Sequence, residues 1–270
     1  MEHRAGALVM GIVNVTPDSF YDGGVDDAPS ETIERALRMI EDGADLLDIG
    51  GESTRPGAPT VSEEAELERV IPIIEGIRKH TDAVLSIDTT KAVVARAALD
   101  AGATVVNDVS ALRGDPEMAP TLAEHGAWTI LMHMQGTPQT MQQNPAYTDV
   151  VSEVASFLEA RIHYAMTHGI PEQKILIDPG IGFGKRLEHN VDLIARLGEL
   201  DRLGRPIVIG ISRKSMLGAL FGLPVESRLE ATIAANAVAV AHGADMIRVH
   251  DVKEGRWTAD LARRLRRHEA

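Results

Sequence analysis

Eight short apolar runs rich in valine and isoleucine recur along the 270-residue chain: ALVMGIVNV (7–15), LLDIGG (46–51), AVLSIDT (83–89), TVVNDVS (104–110), WTILMHM (128–134), KILIDPG (174–180), PIVIGIS (206–212) and MIRVHD (246–251). Their length and β-branched content suit buried strands. Between them lie stretches with helical spacing, such as ETIERALRMIEDG, EEAELERVIPIIEGIRKH, KAVVARAALDAG and VVSEVASFLEARIHYAMTHG, several stopped by glycine. Alternating strands and helices imply a parallel sheet covered by its crossover helices. Eight such units in about 250 residues are the arithmetic of a closed (β/α)8 TIM barrel, with a doubly wound open sheet as the competing α/β arrangement. The chain is 44% hydrophobic, enough for a large core, and no linker-like or low-complexity segment divides it. One domain over residues 1–270 is therefore expected.

Each run is apolar at first and polar at its end: Asn14, Asp48, Asp88, Asn107 with Asp108, His133, Asp178, Ser212, and Arg248 with His250. In a parallel barrel these ends meet at one mouth, where active sites of this fold lie. A single Asp at such a position is ordinarily a turn former or helix cap, but eight polar ends in succession are poorly explained that way. Residues two apart in a strand share a face, so Arg248 and His250 point at one target. A cation beside a second donor suits a phosphate; the plainer alternative is an Arg that neutralises Asp88 or Asp178.

Two βα loops are long, TPDSFYDGGVDDAPS (16–30) and ESTRPGAPTVS (52–62), and long loops at a barrel mouth are usually lids or binding loops. DPGIGFGK (178–185) is not a Walker loop, because Arg186 stands where Ser or Thr is required, but its glycines permit close approach of a flat ligand with Phe183 as a wall. SRKS (212–215) opens a helix and offers Arg213, Lys214 and Ser215 to an anion. His163 and His168 read as surface residues. The small-residue stretch LEATIAANAVAVA (229–241) suits packing on the barrel, with contact to another subunit as an equal reading.

Composition removes several function classes. The net charge of −13 argues against a nucleic-acid-coating or membrane-surface protein, and nine aromatics make a poor stacking platform for single strands. No cysteine means no disulfide, no thiolate nucleophile and no cysteine-held metal. The apolar segments are too short to span a bilayer, and a cytoplasmic location is expected.

The strings MGIVNVTPDSFYDGG (10–24), DIGGESTRPGA (48–58), SIDT (86–89), NDVS (107–110), DPGIGFGK (178–185), GISRKS (210–215) and RVHD (248–251) together make the chain resemble the dihydropteroate synthases, a pterin-binding TIM-barrel family, over nearly its whole length. The resemblance implies a transferase of folate biosynthesis. It would condense 6-hydroxymethyl-7,8-dihydropterin pyrophosphate with p-aminobenzoate by a dissociative route and be a sulfonamide target. On that resemblance Asp88, Asn107, Asp178, Lys214 and Arg248 bind the pterin, and Asn14, Arg55, Arg248 and His250 bind the pyrophosphate. Thr54, Pro56, Phe183, Lys214 and Ser215 surround p-aminobenzoate, with Phe20 also shaping the sulfonamide site. Asn14 ligates Mg²⁺, with Asp48 nearby through a water. Asp88, Arg248, His250, Arg55 and Lys214 carry the catalysis. The partners implied are the two small substrates and a second copy in a homodimer, with no nucleic acid and no membrane. The rival readings are a methyltetrahydrofolate:corrinoid methyltransferase, which has no use for the TPDSF and STRPG loops, and a non-catalytic pterin-binding paralogue.

Overall fold

The structure, a computed structural model, describes residues 7–15 and 28–266. Most of the first long loop, Phe20 included, lies outside the described residues. The strands are β1 (Leu8–Asn14), β2 (Leu46–Gly50), β3 (Val84–Asp88), β4 (Val105–Asp108), β5 (Trp128–Met132), β6 (Ile175–Asp178), β7 (Val208–Ile209) and β8 (Met246–Val249). Between and after them run α1 (Ala28–Glu41), α2 (Glu63–Arg78), α3 (Ala92–Asp100), α4 (Met118–His125), α5 (Val150–Thr167), α6 (Leu187–Ala195), α7 (Ser215–Phe221), α8 (Leu229–Ala241) and α9 (Val252–Arg266).

All eight strands pair in parallel in the order β6-β5-β4-β3-β2-β1-β8-β7. A single bridge between Ile177 and Ile207, with the Ile177 N–H donating to Pro206 O at 3.0 Å, joins the two ends and closes the barrel. That closure rules out the open doubly wound sheet. The seventh strand is much shorter than the run 206–212 from which it comes: Pro206 has no N–H to give the ladder, and the chain turns away after Ile209.

Alternation sorts the side chains. Met10, Leu46, Val105, Ile130, Leu176, Val208 and Met246 pack together as a plug inside the barrel, while Leu47, Ile49, Leu85, Ile87, Val106 and Leu131 face the surrounding helices. Stepping two residues up the inner face from the plug leads to Ile12, Asp48, Asn107, Asp178 and Arg248, so the polar mouth rests on an apolar floor. The same alternation removes two of the predicted strand-end residues. Asp108 faces away from Asn107 and caps the following turn, accepting from Ser110 N at 2.7 Å and Leu112 N at 2.8 Å. His133 points towards α5, edge-on to Phe157.

The helices follow their sequence signals. Ser62 caps α2, accepting from Ala65 N at 3.2 Å ahead of Glu63, Glu64 and Glu66, which complement the helix dipole. In α8, Thr232, Asn236, Ala239 and Val240 are buried against the barrel, while Val238 is exposed. His163 and His168 are exposed on and just after α5, as expected.

Candidate active site

Arg248 organises the centre of the mouth. Its Nε donates to Asp48 Oδ2 at 2.6 Å and an Nη donates to Asp88 Oδ2 at 2.8 Å; the Asn107 amide adds a second donor on Asp48 Oδ2 at 3.0 Å. β8 lies beside β1, and β2 and β3 follow, so closure brings a residue from the end of the chain within reach of two carboxylates from its first third. Here Arg248 does what the plainer reading expected, with Asp48 in the place given to Asp178. One oxygen of each carboxylate, Oδ1 of Asp48 and Oδ1 of Asp88, is buried with no partner among the described residues. Burial raises the Asp88 pKa to about 7, with Asp48, Glu66 and Asp108 adding to the rise and Arg248 opposing it. The site therefore keeps acceptor capacity that the protein itself does not satisfy.

Across the mouth, Asp178 ends β6. Among the described residues its carboxylate receives only the Gly180 N–H, at 2.7 Å on Oδ1. Gly180 has φ +70°, and an added Cβ would run into the main-chain oxygen of His133, so both the turn and the close approach require glycine. The loop is pinned from below by buried Lys185, whose side-chain nitrogen lies 2.8 Å from His133 Nδ1 and donates to Phe183 O at 3.1 Å. Lys214 donates to Ile181 O and lies 4.6 Å from the centre of the Phe183 ring. Burial lowers its pKa to about 8 while Asp178 works to keep it charged. Phe183 packs against Val109, Met132, Met134 and Met141, an apolar wall suited to a flat ring. Ser215 is exposed at the start of α7.

The cations expected together separate into two groups. Arg213, in a left-handed conformation at φ +54°, is held by Asp251 through bonds of 2.9 and 2.7 Å and is committed to that pair. His250 stays at the mouth: its N–H donates to Ser212 Oγ at 3.2 Å, and the same oxygen lies 2.9 Å from Nδ1. With one of its two lone pairs engaged by the main-chain N–H of His250, the Ser212 hydroxyl can direct its proton to Nδ1. That leaves Nε2–H as a donor. Burial, with Arg248 next, lowers the His250 pKa to about 4, so the ring is neutral at pH 7. An NMR titration of His250 is expected to show a midpoint near pH 4. Because the unfolded ring takes its proton near 6.5, this residue's contribution to stability is complete above 6.5 and is lost as pH falls towards 4. A midpoint above 6 would contradict the lowering by burial.

Thr54, Arg55 and Pro56 lie on the second long loop, with Arg55 and Pro56 exposed; the Arg55 N–H donates to Ser53 Oγ at 3.4 Å. Asn14 ends β1 on the inner face, its main-chain oxygen accepting from Arg35 at 3.1 Å. Its amide and the bare Oδ1 of Asp48 are hard oxygen donors of the kind Mg²⁺ prefers, and Mg²⁺ needs few protein ligands when phosphate oxygens and waters complete its shell. The residues therefore fit such an ion when it arrives with a diphosphate. Among the described residues no cluster of three or more His, Asp or Glu could hold a metal by itself.

Sequence reasoning passed over Ser212 as a partner of His250, although both sit on the inner face next to each other in the barrel. It also missed the methionine wall, whose signal was the spacing of Met132 and Met134 on the face opposite His133.

A carboxylate-lined pocket facing an apolar wall and a cluster of donors, at the open end of a (β/α)8 barrel, is the architecture of an enzyme for a flat, donor-rich ring carrying an anionic group. Residues 10–250 match the family described as pterin binding enzyme. The chain is 48% identical over 246 residues to the dihydropteroate synthase of Synechocystis, covering 91% of this chain and 85% of that protein. It superposes on the Yersinia pestis dihydropteroate synthase in a sulfonamide drug complex with a TM-score of 0.92 at 43% identity, covering 97% and 95% of the two chains. On the Xanthomonas albilineans enzyme in complex with 7,8-dihydropteroate the TM-score is 0.86 at 43% identity, covering 96% and 93%. The chain belongs to the dihydropteroate synthases of the pterin-binding family.

Proposed function

We propose that this enzyme joins 6-hydroxymethyl-7,8-dihydropterin pyrophosphate to p-aminobenzoate, yielding 7,8-dihydropteroate and pyrophosphate. The observation that carries the reading is the unsatisfied acceptor capacity of Asp178, Asp88 and Asp48 around one apolar-floored pocket. The amino-pyrimidinone edge of a dihydropterin presents adjacent N–H donors, which Asp178 accepts side by side while Asn107 and Asp88 complete the edge. Lys214 donates to the ring carbonyl and nitrogen. Arg248, anchored by Asp48 and Asp88, lies along the ring and reaches the diphosphate.

The methylene carbon–oxygen bond breaks first, its electron pair leaving with the diphosphate, and the pterin nitrogens spread the resulting positive charge. Arg248, Arg55 and the Nε2–H of His250 receive the charge that develops on the leaving oxygens, and Asp88 favours the cation. Asn14, with Asp48 through a water, would hold Mg²⁺, which neutralises diphosphate charge when bound. The amine of p-aminobenzoate, neutral at pH 7, forms the new carbon–nitrogen bond and releases a proton to water. Its ring rests against Phe183, Thr54, Pro56 and the stem of Lys214, with its carboxylate at Ser215. Sulfonamides would compete there. The second loop lies over the mouth and limits water, which would otherwise capture the cation.

With Mg²⁺ the purified protein is expected to release pyrophosphate only when both substrates are present. Failure to form dihydropteroate would overturn the reading and favour a non-catalytic pterin binder. A homodimer is also proposed, supported by the exposed apolar side chains Leu220, Phe221, Val225 and Val238 on and around α7 and α8. A cytoplasmic location remains the expectation; no helix among the described residues is long and apolar enough to cross a membrane.

A further inference from the structure

A charge cluster on the wall of the pocket, with Glu52 and Glu66 lining the same cavity as Asp88, ties the second long loop at both ends. Glu52 begins the loop directly after β2, and Glu66 lies beyond it in the first turn of α2. Both carboxylates converge on the ammonium of Lys91, which belongs to the next βα unit: Lys91 Nζ bonds Glu52 Oε2 and lies 2.5 Å from Glu66 Oε2. The other oxygen of Glu52 accepts from Val61 N at 3.3 Å, tying the start of the loop to its end. Glu66 is fully buried and its Oε1 has no partner among the described residues, so Lys91 is what balances its charge. Burial works against the ammonium, yet Glu52 and Glu66 hold the Lys91 pKa above the ordinary lysine value and keep the cluster charged.

Between these anchors the loop spans a cavity of about 410 Å³ lined by Thr54, Asp88 and Met134 among others, with little packed beneath it. In mid-loop the Gly57 N–H donates to Pro138 O at 3.2 Å. The height of Thr54, Arg55 and Pro56 over the mouth is thus set by few contacts. We propose that Lys91 is a positioning residue: by clasping Glu52 and Glu66 it holds this loop where its side chains meet p-aminobenzoate. The substrate named rests on the function proposed above; the clasp does not.

Lys91→Met strands the buried Glu66 charge and can fail to fold, so the test also uses Lys91→Met with Glu66→Gln, which removes that charge, and Glu52→Gln, which keeps the shape. In both, amide hydrogen exchange over residues 53–61 is expected to speed up while the β-strand amides stay unchanged. The KM for p-aminobenzoate is expected to rise about tenfold, with the affinity for the pterin substrate within about twofold of wild type. Lys91→Arg, which can still span both carboxylates, should restore both readouts. Unchanged loop exchange in the folded variants would overturn the clasp, and an equal loss for both substrates would overturn the positioning role. If the wild-type protein makes no dihydropteroate, the functional reading fails, while loop exchange still judges the clasp.

Discussion

Replacing Arg248 with alanine is expected to lower turnover by about a thousandfold and to destabilise the fold in a pH-dependent way. On the proposed binding mode, the first effect follows from removing the cation that lies along the ring and reaches the leaving group. The second comes from its two partners. Asp48 is fully buried and Asp88 nearly so, and both depend on this guanidinium. Breaking such a cluster from one side costs about 3–5 kcal/mol when the stranded carboxylates stay charged. Asp88 has an escape, because burial already raises its pKa to about 7 and Arg248 is what opposes the rise. Without Arg248 the folded state keeps that proton to still higher pH, whereas the unfolded carboxyl releases it above its ordinary value near 3.8. The folded form then binds more protons than the unfolded form, so stability falls as pH rises through that window. Urea denaturation should place Arg248→Ala closer to wild type at pH 5 than at pH 8. An equal deficit at both pH values would mean that Asp88 does not take up the proton.

Asp178→Asn separates binding from folding. An asparagine oxygen can still accept the Gly180 N–H, the one donor Asp178 receives among the described residues, so the turn should survive. The pterin would lose a charged acceptor for two N–H groups and would meet the amide's own donor instead. Lys214 would also lose the carboxylate that opposes the lowering of its pKa to about 8, weakening the second pterin contact. Calorimetry should show pterin affinity reduced by about a hundredfold or more, with little change in melting temperature. Equal affinity in wild type and variant would remove Asp178 from the pocket.

The fold was legible because continuous apolar runs alternating with helical stretches, together with chain length, left few ways to hide eight parallel strands. Much of the site was legible for a related reason: alternate residues of a strand share a face, which puts Arg248 and His250 together inside. Parity applied more strictly would also have moved Asp108 and His133 out, since each directly follows an inward-facing residue. Partner choice was harder to read. That Arg248 meets Asp48, 200 residues away, depends on β8 closing against β1, and a sequence names the face of a residue but not its angle around the barrel. Arg213 shows the same limit. A left-handed turn sends it to Asp251, although in the sequence it stands beside Lys214 as an equal. The clasp at Lys91 was invisible because its carboxylates look like an ordinary loop residue and an ordinary first-turn acid.

The barrel closes through a two-residue β7 and one bridge to β6, which makes this seam the thinnest stretch of an otherwise continuous ladder. The loops that leave from either side carry Asp178 and Phe183 on one bank and Lys214 and Ser215 on the other. On the binding mode proposed above, a substrate seated between them would act as a rivet, adding a tie across staves that the backbone joins by one bridge.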